Sequence, residues 1–135
     1  MTQPFRVLPR LDDENTFFWT SGADGKLRFL RCNQCGYYIH PPLPQCPVCA
    51  SRDITPAVVT GRGVVHSYTI NHQPWDGSTE PWAIVLVELD EQEGLRLTSN
   101  MVNCRNEQVR IGMPVHVVFQ QYEDVYMPVF EPANE

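Results

Sequence analysis

Cys32, Cys35, Cys46 and Cys49 form two C-x-x-C pairs, with ten residues between the second and third cysteine. Two thiolates two residues apart lie in one tight turn and aim at one point. Two such turns can close a tetrahedron around a divalent metal. With all four positions filled by sulfur, no slot remains for water or substrate, so the expected metal is structural. The reading is one zinc site with four cysteine ligands. The same residues could instead form two disulfides, hold iron as rubredoxin does, or serve as a redox pair, but a redox pair needs no second matching pair nearby. Gly36 follows the first pair and permits a positive φ, which lets backbone N–H groups approach the sulfurs. Ala50 takes that place after the second pair, and Pro47 stiffens its turn. Four thiolates on one divalent ion leave a charge of −2, and Arg28, Arg31 and Arg52 are near enough in sequence to offset it. A segment of about fifty residues has little core of its own. Residues 24–56 are therefore expected to lose structure without metal.

Little else in the sequence suggests catalysis. Cys104, in Asn103-Cys104-Arg105-Asn106, has no histidine or acid at an informative spacing. It reads as a loop cysteine before it reads as a nucleophile helped by Arg105. His40, His66, His72 and His116 stand in no metal-binding pattern, and no nucleophile elbow, P-loop or dinucleotide-binding glycine pattern occurs. Asp90, Glu91 and Glu93 precede Gly94 and read as a solvated hairpin tip rather than paired catalytic carboxylates. The segment from Asn71 to Pro81 is a long loop that exposes Trp75, with Trp82 just beyond it. Long loops on small barrels are where binding concentrates. The alternative is a tryptophan folded back over the barrel mouth.

The elements around these residues are mainly strands. Asp12 to Ser21 suits a short helix capped by Asp12 or Asp13 and ended by Gly22. Phe17, Phe18 and Trp19 are consecutive, so one helix face cannot bury all three. Either a small module wraps both sides, or part of the cluster is a partner surface. Lys26 to Arg31 alternates charged and apolar residues, as a strand leading into the first cysteine pair. Strand, turn, return and second turn make a zinc ribbon, and residues 50–57 read as a linker. Strands follow at 58–70, bent at Gly61 and Gly63 by a bulge or sharp coil, and then at 82–89, 95–101, 115–119 and 125–130. The run 82–89 reads as a buried central strand, and Pro128 marks the last strand as an edge. Five short strands with no long helix suggest an OB-fold or another five- or six-stranded barrel. The expected division is an arm and ribbon at 1–56 and a barrel at 57–135.

Charge narrows the function. Residues 1–56 carry six basic and five acidic residues, whereas 57–135 carry four arginines against eleven acids, a net of −7. A ribbon joined to an OB-fold is a combination that often binds single-stranded nucleic acid. A groove that tracks phosphates needs clustered lysine and arginine, which the barrel segment lacks. No nucleic-acid partner is expected. No apolar run reaches the ~18 residues of a membrane span, and nothing resembles a signal peptide. Five cysteines, an odd count, suit a reducing compartment. The expected location is the cytoplasm.

The order of weaker motifs carries further information. Phe17-Phe18-Trp19, Gly25-Lys26-Leu27, Cys32-x-x-Cys35-Gly36, Pro41-Pro42, Cys46-Pro47-x-Cys49, Gly61-x-Gly63, Val87-Glu88-Leu89 and Ile111-Gly112-Met113-Pro114-Val115 follow one another from about residue 8 to 132. That order resembles the acyl-CoA-associated zinc-ribbon/OB-fold family, long catalogued as a domain of unknown function. The stretches 17–25 and 123–132 look closest to the domain that partners the thiolase-like steroid side-chain-cleaving aldolase. The resemblance implies an N-terminal helical arm, a rubredoxin-like ribbon and a five-stranded OB barrel. It further implies a non-catalytic accessory subunit of a complex acting on acyl-CoA thioesters, with two chains of each kind. The reaction would be retro-aldol cleavage of a steroid acyl-CoA with release of propionyl-CoA, and the partner would hold most of the substrate. The chain would be either free-standing or the C-terminal part of a longer subunit. On this reading Phe17, Phe18, Trp19, Trp75 and Trp82 face the partner or substrate.

Overall fold

The computed structural model describes residues 8–72 and 81–133. The expected binding residue Trp75 lies outside the described residues. The arm begins where Asp12 Oδ1 accepts the backbone N–H groups of Glu14 and Asn15, each at 2.9 Å. Helix α1 spans Thr16–Thr20 and passes into a 3₁₀ turn at Ser21–Asp24. The helix is thus shorter than the ten residues expected. The left-handed residue that ends this segment is Gly25 (φ 78°), not Gly22. Gly22 instead leaves room for the barrel: a Cβ there would collide with the Phe119 ring.

The ribbon sheet contains β1 (Leu27–Cys32), β2 (Tyr38–Ile39) and β3 (Ile54–Val59), in the antiparallel order β2-β1-β3. Alternation along β1 buries Leu27 and Phe29 and leaves Arg31 outside. β3 corrects the linker reading of residues 50–57, because its six residues pair with all of β1. Pro56 is tolerated because β3 is an edge strand of this sheet.

The barrel contains β4 (Arg62–Asn71), β5 (Trp82–Leu89), β6 (Arg96–Asn100), β7 (Pro114–Tyr122) and β8 (Val125–Pro132), in the order β6-β5-β4-β7-β8. A parallel bridge between Met101 and Phe130, with Val102 N–H donating to the Phe130 carbonyl at 2.8 Å, brings the outer strands together. This is an OB-fold barrel. On β5, Ala83, Val85, Val87 and Leu89 point inward, while Trp82, Ile84 and Leu86 are half-buried on the outside. The strand alternates, although its sequence reads as a continuous apolar run. The bend in β4 is a bulge between Val65 and Ser67, not at Gly61 or Gly63.

One core joins both parts. Leu27 and Phe29 of the ribbon are fully buried in one cluster with Val65, Val85, Val87 and Phe130 of the barrel and Phe18 of the arm. A smaller cluster of Cys32, Ile39 and Cys46 sits at the cysteine turns.

Candidate functional site

The two cysteine turns are built alike. In the first, Cys32 N–H donates to the Tyr37 carbonyl and Gly36 N–H to the Cys32 carbonyl, both at 2.9 Å. In the second, Cys46 N–H donates to the Ser51 carbonyl at 2.9 Å and Ala50 N–H to the Cys46 carbonyl at 3.0 Å. The same offsets demand the same backbone, so Gly36 has φ 82° and Ala50 is forced to φ 66°. For a residue with a Cβ that conformation costs about 1–2 kcal/mol. Ala50→Gly is therefore expected to stabilise the metal-loaded protein by about 1 kcal/mol, after the flexibility glycine adds to the unfolded chain. Thermal unfolding at fixed free metal checks this; an unchanged or lower midpoint would show that the turn is not strained.

The four sulfurs lie within 4.8 Å of one another. Cys32 and Cys49 sulfurs are 3.5 Å apart, and those of Cys35 and Cys46 are 3.6 Å apart. A tetrahedron with metal–sulfur bonds of ~2.3 Å has edges of about 3.8 Å, so the four cysteines are positioned to bind one metal ion. Backbone N–H groups of Cys35 and Val48 point at the sulfurs of Cys32 and Cys46, at 3.5 and 3.4 Å. The Cys35 N–H draws the Cys32 thiol down to about 6, aided by Gln34 and opposed by desolvation. Cys49 is pushed up to about 12: the Ser51 N–H pulls it down, but desolvation and the other three sulfurs prevail. Four thiolates this close need a cation among them.

Of the three arginines expected to balance the site, Arg28 is engaged elsewhere. It forms a two-pronged pair with Asp24 at 2.8 and 3.0 Å, and that bond holds the Asp24 carboxyl down to about 2. Arg31 does lie at the first turn, donating to the Gly36 carbonyl at 2.9 Å with its guanidinium 4.6 Å over the Tyr38 ring. Arg52 is exposed.

The hairpin between β5 and β6 ties the ribbon to the barrel. Tyr38 N–H donates to Gln92 Oε1 at 2.8 Å, and Gln92 Nε2 donates back to the Tyr38 carbonyl at 3.0 Å. One side-chain amide thus serves the outer edge of β2 as a strand residue would. Glu91 Oε2 accepts the Thr60 N–H at 2.7 Å. The solvated-tip reading holds for exposed Asp90 and Glu93 but not for Glu91. Nothing in the sequence marks Gln92, because its partner is 54 residues away. Gln92→Glu removes the donor and sets a carboxylate against a carbonyl. We expect a loss of about 2 kcal/mol in chemical denaturation; an unchanged midpoint would rule out the clamp.

His40 closes the ribbon return. Its ring stacks on Phe18 at 5.3 Å and lies 4.7 Å from Phe29. Its Nδ1 is buried without a hydrogen-bond partner among the described residues. Burial pushes its pKa down from 6.5 to about 4. The neutral ring is the form that folds, so its contribution is complete above pH 6.5 and is lost as pH falls toward 4. Stability at pH 5 is expected to be about 2 kcal/mol below that at pH 7.5 from this group alone. His40→Phe should flatten that slope in denaturation curves taken with saturating metal, and an equal slope in both proteins would contradict it.

A cavity of about 320 Å³ opens between arm and barrel. Phe18 and Trp19 line it from the arm, Trp82 and Ile84 from β5, and Met127 and Pro128 from β8. The structure therefore brings together three of the five aromatic residues expected at a binding surface. Phe17, like Trp19, is half-buried against the shared core, but it does not line this cavity. Phe18 is 5 % exposed, stacked 6.0 Å from Phe29 and edge-on to Trp19 at 4.9 Å. Cys104 is half-buried, and burial pushes its thiol up, against the demands of a nucleophile.

Comparison with known proteins places this arrangement. The family described as "ChsH2, rubredoxin-like zinc ribbon domain" matches residues 19–55, and "ChsH2, C-terminal OB-fold domain" matches residues 57–120. A DUF35 domain-containing scaffold protein of Methanocaldococcus jannaschii is 34 % identical over 98 residues, covering 70 % of this chain and 68 % of its own length. The chain belongs to the ChsH2/DUF35 zinc-ribbon and OB-fold family. A chain of a solved structure described as the Ltp2-ChsH2(DUF35) aldolase shares 34 % identity with a TM-score of 0.83. The match covers 94 % of this chain and all of that one. A "Probable enoyl-CoA hydratase alpha subunit" of Thermomonospora curvata is 35 % identical over 95 % of this chain. The 3-oxo-4,17-pregnadiene-20-carboxyl-CoA hydratase alpha subunit of Mycobacterium tuberculosis is 34 % identical over 92 %. This chain spans about two-fifths of the length of those two relatives, 40 % and 39 %.

Proposed function

We propose that this chain is the zinc-holding, non-catalytic partner of a thiolase-superfamily aldolase that acts on acyl-CoA thioesters. The single observation that carries the reading is the match, over nearly the whole of both chains, to a chain of the Ltp2-ChsH2(DUF35) aldolase. The reaction proposed is retro-aldol cleavage of a steroid side-chain acyl-CoA with release of propionyl-CoA, in a two-plus-two assembly. The steroid part is supported by the name of the pregnadiene-carboxyl-CoA hydratase relative. One structural zinc among the four cysteines holds the ribbon. The partner carries the reacting groups and most of the substrate. The arm, barrel and cavity wall the partner's reaction chamber and exclude water from it. The site residues on this side are Phe18, Trp19 and Trp82, with Trp75 from the segment outside the described residues.

The test is co-expression with a thiolase-like aldolase subunit, followed by light scattering and an assay for propionyl-CoA release. The expected result is a stable assembly that cleaves a steroid acyl-CoA, with no cleavage by this chain alone. Cleavage by the isolated chain, or no assembly with such a subunit, would overturn the proposal.

A further inference from the structure

Strand β4 is central in its sheet, yet among the described residues half of it lacks a neighbour on one side. It pairs with β5 from Gly63 to Asn71. On its other side it pairs with β7 only from Arg62 to Val64. Val65 then exchanges backbone bonds with Gly112 and Met113, at 2.7 and 3.1 Å. From His66 to Ile70 no strand among the described residues lies along that side. Those five residues extend about 17 Å. His66, Ser67, Tyr68 and Thr69 are all exposed, so both faces of the strand are open at this point. The register sets Ser67 beside Leu86 and Thr69 beside Ile84, both half-buried on the outer face.

Folded proteins blunt such an edge with lysine, proline or inward-pointing charge, because it templates further strands. His66-Ser67-Tyr68-Thr69-Ile70 has no lysine, no proline and no acid, in a chain of net charge −6. The segment instead has the β-branched and aromatic residues that favour strand pairing. The open row of peptide groups specifies its occupant: another peptide backbone in extended form, with uncharged side chains over Leu86 and Ile84. A polyanion is not served, because no lysine or arginine lies on this stretch. Ile84 also lines the arm cavity, so this face and the cavity are continuous.

We infer that His66–Ile70 is a docking edge that takes an extended segment of a partner protein as an added strand. Resting on the function proposed above, that partner is the thiolase-like subunit. Main-chain hydrogen bonds supply the fit, and the uncharged outer face sets the side chains accepted.

Amide hydrogen exchange on the whole chain, alone and in complex with the thiolase-like subunit, tests this. The expected result is slowing of exchange in 66–70 by at least about tenfold on complex formation. In parallel, the double variant Ser67→Lys/Thr69→Lys should weaken the complex by at least about tenfold while its melting temperature stays that of the parent. A complex that forms without protection of 66–70, or that the double variant leaves as tight, overturns this inference and spares the proposed function. Absence of any complex overturns both. Protection already present in the free chain and rising with its concentration, with a dimer by light scattering, assigns the edge to a second copy and overturns the inference.

Discussion

Replacing Cys46 by serine is expected to abolish metal retention and unfold the ribbon. Cys46 is 2 % exposed and packs with Cys32 and Ile39 in the small cluster beneath the turns. That cluster is too small to hold the turns closed without a metal. Structural zinc contributes about 10–16 kcal/mol of apparent binding free energy in isolated fingers, so losing one of four ligands removes a large part of the ribbon's stability. Because Leu27 and Phe29 of the same ribbon lie in the barrel's core, the melting midpoint of the whole chain should fall, by more than about 10 °C. A chromogenic metal indicator reports retention, and circular dichroism reports the midpoint. Cys104→Ser is the control and should change neither. A Cys46→Ser protein that keeps one metal per chain and its full midpoint would show that these four sulfurs do not form the site.

Phe29→Ala is expected to cost about 3–5 kcal/mol, the range for truncating a fully buried aromatic residue. Phe29 has no exposed surface and meets both Phe18 and His40. Removing its ring should therefore loosen the arm as well as the core. Chemical denaturation reads the first effect, and a red shift of tryptophan emission, through Trp19 beside Phe18, reads the second. Two separate unfolding steps in the wild type, with only the first shifted by the substitution, would show that ribbon and barrel do not share a core.

What the sequence revealed and what it hid have physical causes. The convergence of the four cysteines was legible because ligand spacing within a turn is local geometry, and no distant residue is needed to interpret it. Four barrel strands were legible to within a few residues because their apolar positions recur or cluster along the chain. β3 was not, because Ile54–Val59 becomes a strand only through β1, more than twenty residues earlier. The position of the bulge in β4 was misplaced because Gly61 and Gly63 serve close packing instead. A Cβ on Gly63 would collide with the Glu88 carbonyl. The aromatic cluster was found, but its division was not: which of Phe17, Phe18 and Trp19 is buried depends on Phe29 and His40. Gln92 carries no local signal at all, since an amide acting as a strand residue looks like any polar loop residue.

The two ends of β5 have different neighbours. Past Leu89, the hairpin is fastened to Tyr38, next to the cysteine turns. At Trp82, the same strand borders the arm cavity. An oxidant of the thiolates, or a chelator of the metal they hold, thus acts near one end of this strand, while the aromatic hollow borders its other end. Phe18, which lines the hollow and stacks on His40 of the ribbon return, and the shared interior make the hollow's shape sensitive to thiol chemistry. The companion proposed above would then be released under oxidative or metal-starved conditions before any residue in the hollow was itself altered.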